Sequence, residues 1–473
     1  MQWRQRSYPE DDFLYDVFPP FIGYSNVRIP NRGGWMKMWS HENNGSFISD
    51  GTNGDVACDS YHKYTEDIKI LKELGVHFYR FSIAWSRIVP TGFVADGINQ
   101  GGIDYYNNLI DGLLAEGIVP FVTLYHWDLP LGLGRTNSWL NETIVNHFED
   151  YARVVFREFG DRVKLWLTFN EPYEFCRASY NYLEESPFKE PLEKPYVCAH
   201  HVIMAHALAY HLYDKEFRPM QQGKIGITLN TNWAGPRDPN SAADLAASSR
   251  AMNFTFGWWA NPIVRGEYPP IMRELIDRKS AEAGRNSSRL PTFDAEWTEL
   301  INGTTDFLGL NHYSSHYVEY GNTSTGIEGD AEVRGSGDPS WEQNALGWSI
   351  VPWGLRKLLT WLHMEYKLPI YVTENGYGAA ASDYLDDQPR VRYYTNYINE
   401  MLKAIKLDGA DVRGYAAWSL IDNYEWSLGY TARFGVHYLN YSDPNLTRVP
   451  KASADKLRQI FADNGFPPNQ TFS

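Results

Sequence analysis

Two glutamates that lie far apart in the chain each follow an apolar, β-branched run. One is Glu171, in the motif Thr-Phe-Asn-Glu-Pro at residues 168–172, and the other is Glu374, in Val-Thr-Glu-Asn-Gly at residues 372–376. Because a short apolar run is typical of a buried strand, each carboxylate is expected at the tip of a strand. Hydrolysis of a glycosidic bond uses a pair of carboxyl groups, and two strand ends that lie close together can supply such a pair.

A third segment, residues 418–426, adds groups that are suited to holding a sugar. It contains Trp418, Glu425 and Trp426, which offer two flat aromatic faces and a carboxylate. Aromatic residues make up 15% of the chain, with 17 Trp and 32 Tyr, and flat apolar rings of this kind can stack on pyranose faces. Most of these rings are expected to pack in the core, and any one tryptophan taken alone is explained equally well in that way.

The elements that would position these residues alternate along the chain. Short β-branched or aromatic runs, separated by longer amphipathic stretches, indicate βαβ units. The predicted strands are residues 76–83, 118–126, 164–171, 225–232, 307–314, 369–376 and 413–419. The predicted helices are residues 60–74, 103–116, 141–159, 196–217, 352–366, 391–407 and 452–462.

This order predicts an α/β fold, a (β/α)8 TIM barrel built as a single domain over residues 1–473 with loop insertions. No low-complexity linker or change of composition marks a domain boundary. Seven strands are one short of a complete barrel, and the missing first strand is expected within residues 13–35. Residues 1–40 are atypical for such a domain.

The polar residues of interest fall at one end of these predicted strands. Active sites of barrel enzymes lie at the carboxyl ends of the strands, so a shared position there favours a common site more than any single motif does. For His126 taken alone, a hydrogen-bonded core histidine would be the more ordinary role. The residues at the carboxyl ends are Arg80, His126, Asn170, Glu171, Asn311, Tyr313, Glu374 and Trp418.

Composition excludes several other classes of function. The net charge of −15 disfavours nucleic acid and anionic membranes as partners. No apolar run is long enough to span a bilayer, no cluster of residues has the spacing of a metal site, and no cofactor is expected. The expected partner is a small molecule, bound by a monomer or a homodimer.

The cysteines and the N-glycosylation sequons indicate in which cellular compartment the protein is found. Three cysteines allow at most one disulfide, for which Cys176 with Cys198 is the candidate, but buried free thiols are the default expectation. The N-terminus has no apolar signal-peptide core, yet many N-x-[ST] sequons indicate a secreted glycoprotein. They begin at Asn44, Asn141, Asn253, Asn286, Asn302, Asn322, Asn440, Asn445 and Asn469.

Taken together, these motifs resemble those of the β-glucosidases of glycoside hydrolase family 1, most of all the insect enzymes. The resemblance covers about residues 41–466 and rests on several stretches in combination. They are Tyr-Arg-Phe-Ser-Ile-Ala-Trp-Ser-Arg at 79–87, Tyr-His-Trp-Asp at 125–128, Asn-His-Tyr at 311–313, and the segments 168–172, 373–376 and 418–426.

The resemblance implies a retaining double displacement without a metal or cofactor. Glu374 would be the nucleophile, kept ionised by Arg80 and hydrogen-bonded by Tyr313. Glu171 would be the acid/base, with a pKa raised by burial and by the negative charge of Glu374. The two carboxyl groups are expected about 5–5.5 Å apart, as in retaining enzymes. Asn311 is expected to support the same pair.

The same resemblance implies how the sugar is held. Asn170 would contact the 2-hydroxyl and His126 the 3-hydroxyl. Trp418 would form the floor under the ring, and Glu425 would take the 4- and 6-hydroxyls. Two further residues complete the implied site, Trp426 at the rim and Trp348 as the platform on the aglycone side.

Alternatives remain at the level of substrate and of activity. Glu425 would repel a 6-phosphate, which disfavours 6-phosphoglycosides. Glu171 favours O-glucosides but leaves open a thioglucosidase, or a glycosidase for galactosides or fucosides. A catalytically impaired sugar-binding paralogue is a different class of function, and sugar binding without turnover would identify it.

The chain departs from the family pattern at residues 21–34. The family's first strand carries Ala-Tyr-Gln-x-Glu-Gly, whose glutamine binds the sugar, whereas residues 24–33 here contain Pro30, which a central strand disfavours. These ten residues can be encoded by nucleotides that, read one base later, specify Ile-Ala-Thr-Ser-Ala-Tyr-Gln-Ile-Glu-Gly. We therefore hypothesise an out-of-frame stretch, which resequencing of the transcript across it would test.

Overall fold

The computed structural model describes residues 48–136, 138–181, 193–321, 326–381 and 385–467. The strands in this part of the chain are β1 (Phe78–Ser82), β2 (Val119–Tyr125), β3 (Leu165–Asn170), β4 (Lys224–Asn230), β5 (Trp233–Pro236), β6 (Phe307–Asn311), β7 (Ser315–Tyr320), β8 (Val333–Ser336), β9 (Ile370–Asn375), β10 (Ala379–Ala380), β11 (Val412–Ala417), β12 (Ala432–Arg433), β13 (His437–Leu439) and β14 (Arg448–Pro450).

Seven of these strands form one parallel sheet in the order β1–β2–β3–β4–β6–β9–β11. They are the seven strands predicted from the sequence, with ends within three residues of the predicted ones. The sheet is nearly closed into a barrel, which confirms the predicted fold class. Strands β5, β7 and β8 form a second, small sheet, and β10–β12 and β13–β14 are short antiparallel pairs.

Helices follow the barrel strands and cover the sheet. They are α1 (Ser60–Leu74), α2 (Trp85–Ile88), α3 (Gln100–Ala115), α4 (Leu131–Gly134), α5 (Ile144–Phe159), α6 (Pro172–Asn181), α7 (Lys194–Leu212), α8 (Arg218–Gln221), α9 (Ala242–Met252), α10 (Trp258–Arg265), α11 (Pro270–Glu282), α12 (Ala295–Ile301), α13 (Ile327–Ala331), α14 (Pro352–Tyr366), α15 (Gln388–Leu407) and α16 (Ala452–Asp463).

The predicted helices are confirmed, with two differences. The predicted helix at residues 196–217 ends as α7 at Leu212 and continues through a π-helical turn, Tyr213–Phe217. Nine further helices in the described residues were not predicted: the four helices α9–α12, which lie between β5 and β6, and the helices α2, α4, α6, α8 and α13. None of the helices in the described ranges has the length and apolarity needed to cross a membrane.

The barrel interior is apolar at the amino-terminal ends of the strands and polar at their carboxyl ends. Its amino-terminal end is filled by Phe121, Leu167 and Phe307, with Phe78 and Tyr371 packed against them. Ring centroids there lie 5.0 Å apart for Phe307 and Tyr371 and 5.8 Å apart for Phe121 and Phe307. This apolar plug seals one end, so the polar residues of the same strands collect at the carboxyl end.

Strands β1 and β11 are the two edges of the seven-stranded sheet. An eighth strand would close the barrel between them. The predicted first strand at residues 13–35 and the segment 21–34 lie outside the described residues.

A disulfide joins Cys176 in α6 to Cys198 in α7. The sequence favoured buried free thiols at these positions, and the structure has the disulfide instead. The bond ties α6, which follows Glu171 directly, to a long helix on the outer face of the barrel. Both sulfur-bearing residues are fully buried.

Candidate active site

The strands that present Glu171 and Glu374 each contain one extra residue near the glutamate. From Leu167 to Asn170, β3 advances three residues while β4 advances two. From Val372 to Glu374, β9 advances two residues while β6 advances one. Bulges of this kind bend a strand and redirect its side chains, so both carboxylates are turned away from the regular alternation of their strands.

Three residues of the site have a left-handed backbone. The φ angles are 73° at Trp127, 46° at Glu171 and 49° at Trp426. For a residue with a side chain this conformation costs about 1–2 kcal/mol, and such strain is concentrated at functional sites. At Glu171 it coincides with the junction between β3 and α6, and the Glu171 amide donates to Thr228 O at 3.0 Å.

Both carboxylate oxygens of Glu374 accept a hydrogen bond. Arg80 Nη1 donates to Oε1 at 2.5 Å, and the Tyr313 hydroxyl donates to Oε2 at 2.6 Å. Arg80 Nη1 also reaches Thr373 O at 3.2 Å. Because Glu374 is completely buried, these two donors fix the orientation of its carboxylate.

Glu171 is linked to the same network through Asn311. The Asn311 amide nitrogen donates to Glu171 Oε1 at 2.6 Å and lies 3.1 Å from Asn170 Oδ1. The Asn311 carbonyl oxygen accepts from Thr373 Oγ1 at 2.8 Å. Asn311 therefore connects the end of β3 to the end of β9, which brings the two predicted carboxylates into one site.

The two carboxyl groups differ in electrostatic environment. Burial raises the pKa of Glu171 well above its usual value, and the charges of Glu374 and Glu174 raise it further. Burial also raises the pKa of Glu374, but the Arg80 charge and the Tyr313 hydrogen bond counteract this. Among the described residues Glu374 has a cation in contact and Glu171 has none. We therefore place the single proton of this pair of carboxyl groups on Glu171.

Asn170 and His126 lie beside this pair. Arg80 Nη2 donates to Asn170 Oδ1 at 2.6 Å, and Asn170 Nδ2 lies 2.9 Å from His126 Nε2. Burial, with the Arg80 charge as a second cause, lowers the pKa of His126 well below its usual value. A neutral His126 therefore accepts the Asn170 amide proton at Nε2, and the pair is held in a defined orientation.

A cluster of aromatic residues lies behind Tyr313. Trp348, Trp418 and Phe434 are buried together with Tyr313, and the Tyr313 and Trp348 rings are 5.4 Å apart. The backbone amide of Trp418 donates to Asn375 O at 2.8 Å, which places this tryptophan directly beside the end of β9. The indole N–H of Trp348 has no hydrogen-bond partner among the described residues.

Glu425 is in a different situation from the other two glutamates. It is 1% exposed, and neither of its carboxylate oxygens has a partner in the part of the chain that the structure describes. Burial raises its pKa well above the usual value, and the charges of Glu374 and Glu171 add to the increase. Trp426 packs on Trp127 with ring centroids 4.7 Å apart.

All of the predicted site residues thus lie at the carboxyl end of the barrel, but their individual roles stay predictions. The separation of about 5–5.5 Å between the carboxyl groups also stays a prediction. The sequence did not single out Trp127, which donates from Nε1 to Asn170 O at 2.8 Å, or Thr373, which orients Asn311. Both lie within motifs that already contained a predicted residue.

No group of three or more histidine, cysteine, aspartate or glutamate side chains is arranged to hold a metal ion among the described residues. Among the described residues, both carboxylate oxygens of Glu425 and the indole N–H groups of Trp348 and Trp426 have no hydrogen-bond partner. Such groups are suited to hydroxyls of an uncharged ligand, because a carboxylate accepts hydrogen bonds and an indole donates one.

Comparison with known proteins agrees with this geometry. Residues 32–466 match the profile described as Glycosyl hydrolase family 1. The human protein named lactase/phlorizin hydrolase is 43% identical over 479 residues, which cover 98% of this chain and 25% of that protein. The chain therefore spans about a quarter of the length of that relative.

Two further relatives match over most of both chains. The rice (Oryza sativa subsp. japonica) protein named beta-glucosidase 12 is 42% identical over 442 residues, covering 87% of this chain and 84% of that protein. The solved structure titled aphid myrosinase has a TM-score of 0.85 and 41% identity, and the alignment covers 91% of this chain and 95% of that one.

Proposed function

The chain belongs to glycosyl hydrolase family 1, and we propose that it acts within that family as a retaining exo-β-glucosidase on O-linked β-glucosides or cello-oligosaccharides. The observation that carries the proposal is the asymmetry of two buried carboxyl groups in one network. Among the described residues, Glu374 has a guanidinium and a phenol as donors, whereas Glu171 has only a neutral amide.

In the first step Glu374 acts as the nucleophile. One of its oxygens forms a bond to the anomeric carbon while the bond from that carbon to the aglycone oxygen breaks. Glu171 gives its proton to that oxygen, so the aglycone leaves as a neutral alcohol. The Arg80 and Tyr313 donors hold the attacking carboxylate in one orientation before the sugar arrives.

In the second step water releases the sugar. Once Glu374 is esterified its negative charge is gone, and one cause of the raised pKa of Glu171 disappears. The Glu171 carboxylate then accepts a proton from water as the water oxygen bonds to the anomeric carbon, and the bond to Glu374 breaks. Two displacements at the same carbon give a product with the configuration of the substrate.

Glu425, Trp418 and Trp426 are proposed to hold the sugar. The two unpartnered oxygens of Glu425 can accept hydrogen bonds from two neighbouring hydroxyls, and the tryptophan rings supply flat apolar faces. Asn170 and His126 contact the hydroxyls nearest the anomeric carbon. Each of these contacts replaces hydration of the sugar with fixed protein groups in a buried site.

The experiment is hydrolysis of 4-nitrophenyl β-D-glucoside, with the anomer of the released glucose followed by NMR. We expect turnover with β-glucose as the first product, and loss of turnover in Glu374→Gln. First appearance of α-glucose would contradict the retaining mechanism. Binding of glucose by a folded protein without any turnover would instead support the sugar-binding paralogue.

A thioglucoside is the second candidate substrate. The relative with a TM-score of 0.85 is titled a myrosinase, which motivates a direct comparison of a β-thioglucoside with the matching O-glucoside. Glu171 favours the O-glucoside, because a protonated acid helps an alkoxide to leave far more than it helps a thiolate. A larger kcat/KM on the thioglucoside would reverse this assignment, and β-galactosides and β-fucosides belong in the same assay.

We also propose that the protein is a secreted glycoprotein. Two features support this: the Cys176–Cys198 disulfide, which is typical of oxidising compartments, and the surface positions of several sequons. Sequon asparagines at least partly exposed in the described ranges are Asn141, Asn253, Asn286, Asn302, Asn440 and Asn445, whereas Asn44, Asn322 and Asn469 lie outside them.

The test of secretion is expression of the chain in a eukaryotic host behind a signal peptide. Enzymatic removal of N-glycans should lower the mass of the secreted protein, and an Asn286→Gln variant should lose one glycan relative to wild type. Secretion of an active protein without any N-glycan would contradict the proposal. The same chain made in bacterial cytoplasm is the unglycosylated control.

A further inference from the structure

The sugar-holding segment, residues 418–426, is joined to residues 434–437 by hydrogen bonds between the two backbones. The Ser419 amide donates to Phe434 O at 3.1 Å, and the Asp422 amide donates to His437 O at 3.0 Å. At Gly435 the two stretches are so close that a Cβ atom would lie 2.0 Å from Asp422 N. The backbone that presents Trp418 and Glu425 is therefore set by what holds these stretches together.

A buried ion pair lies at this contact. Lys451 Nζ is 2.7 Å from Asp422 Oδ1, and both side chains are 0% exposed. The same ammonium group donates to Gly435 O at 2.8 Å, and the Gly435 amide donates to Asp422 Oδ1 at 3.0 Å. Arg433 Nη1 is a second, more distant cation, 3.4 Å from Asp422 Oδ2.

Other charged groups surround the pair. Arg390 and Asp387, at the start of α15, face Lys451, and His437 faces it from β13. Arg390 is held in turn, because its Nη2 donates to Arg433 O at 2.8 Å. Burial lowers the pKa of Lys451 to about 8; the Arg390 charge adds to this, and Asp422 opposes it.

We propose that the Lys451–Asp422 ion pair is a positioning device for the sugar-holding segment, so that loss of the Lys451 charge weakens sugar binding more than it slows bond cleavage. This inference rests on the proposed function, since it assigns residues 418–426 to the sugar. Neither member of the pair is a catalytic residue. Both act through the backbone of the segment that carries Trp418, Glu425 and Trp426.

The competing explanation is that the pair only stabilises the fold, and physical arguments separate the two. A buried ion pair is weak evidence for stability, because the desolvation of both charges offsets their attraction. Moreover, the folded protein binds the Lys451 proton less tightly than the unfolded chain does. As pH rises through about 8, this group therefore adds to stability rather than subtracting from it. A loss of sugar binding in the same pH range cannot come from unfolding caused by Lys451.

The experiment compares wild type, Lys451→Arg and Lys451→Met on 4-nitrophenyl β-D-glucoside from pH 6 to 10, with D-glucose binding followed by tryptophan fluorescence. We expect the wild-type KM to rise above about pH 8, and Lys451→Met to have a KM at least about tenfold higher at pH 6, with a smaller change in kcat. Lys451→Arg, whose charge persists, should keep a low KM to higher pH.

The matched control is Arg289→Met, which breaks another buried ion pair. Arg289 Nη1 is 2.7 Å from Asp330 Oδ2, the side chains are 3% and 9% exposed, and Asp330 Oδ2 also accepts from the Tyr196 hydroxyl in α7. This variant should lower the unfolding midpoint without changing KM. Equal KM values in Lys451→Met and wild type, or a KM in Lys451→Arg that rises at the same pH as in wild type, would overturn the proposal.

If Lys451→Met does not fold, wild type and Lys451→Arg still decide the question. If the wild-type protein does not hydrolyse the glucoside at all, the proposed function fails, but the pH dependence of D-glucose binding still tests the positioning role. Binding that stays constant from pH 6 to 10 would then contradict it.

Discussion

The carboxylates of Glu374 and Glu425 are buried to the same extent but surrounded in opposite ways. Glu374 is 0% exposed and has a donor on each oxygen, from Arg80 and Tyr313. Glu425 is 1% exposed and has no partner on either oxygen within the described residues. One region of the site is complete without a ligand, and the other becomes complete only when a ligand supplies donors.

This difference separates the two tasks of the site. A nucleophile must keep one orientation and one charge state through the reaction, so its donors belong to the protein. A binding group must exchange water for substrate hydroxyls, so its lone pairs are left unpaired at a cost in stability.

Replacement of the satisfied carboxylate should have the largest effect. In Glu374→Ala no covalent intermediate can form, and we expect kcat on 4-nitrophenyl β-D-glucoside to fall at least about 10⁴-fold. Added formate should restore part of the rate, because it can occupy the space between Arg80 and Tyr313. Residual activity above about one per cent of wild type would contradict the assignment.

Glu171→Gln should have the next largest effect, and it should depend on pH. The raised pKa of Glu171 makes it an acid near neutral pH, so wild-type kcat should fall on the alkaline side as its proton is lost. The glutamine variant should lack that alkaline limb and lose about 10²- to 10⁴-fold in kcat on substrates with poor leaving groups. A wild-type alkaline limb that persists in the variant would assign the proton to another group.

Tyr313→Phe removes one donor from Glu374 and leaves the other. A hydrogen bond to a charged group contributes about 1.5–3 kcal/mol, so kcat should fall about 10- to 150-fold. Tyr393→Phe is the control, since Tyr393 donates to the Tyr313 carbonyl at 3.0 Å and accepts from Asn375 Nδ2, and no hydrogen bond joins it to Glu374 among the described residues. Equal losses in the two variants would indicate a packing effect instead of a lost donor.

Glu425→Gln should weaken sugar binding and yet stabilise the protein. Its pKa is raised from an ordinary 4.5, so folded Glu425 holds its proton more tightly than the unfolded chain does. This group therefore lowers the stability of wild type as pH rises above about 4.5, and its contribution is absent in the variant. We expect the variant to be more stable by about 1–3 kcal/mol in urea unfolding at pH 8, and by less at pH 5.

The matched variant for this last comparison is Glu374→Gln. It removes the charge that Arg80 contacts, so a buried guanidinium loses its counter-ion and no comparable gain in stability is expected. Similar stability changes in Glu374→Gln and Glu425→Gln would remove the distinction between the two regions.

Much of the fold follows from local pattern. The seven barrel strands are short β-branched or aromatic runs, and the helices after them are amphipathic, so both were identified from periodicity. The four helices α9–α12 were missed because they lie within a long insertion between β5 and β6, where nothing in the strand pattern required them. The π-helical turn after α7 was missed because it continues the apolar periodicity of the helix.

The sequence shows which residues reach the carboxyl end of the barrel, because each strand and the residue at its end are recognised from a short local pattern of apolar residues. Only the tertiary structure decided how they meet. The extra residues in β3 and β9, the left-handed backbone of Glu171 and the bridge through Asn311 depend on register between strands. The Glu425 oxygens have no hydrogen-bond partner among the described residues, and Lys451 contacts Asp422. Both features depend on which distant segments pack together. Burial and pairing are properties of that packing, and they set the charge of each group.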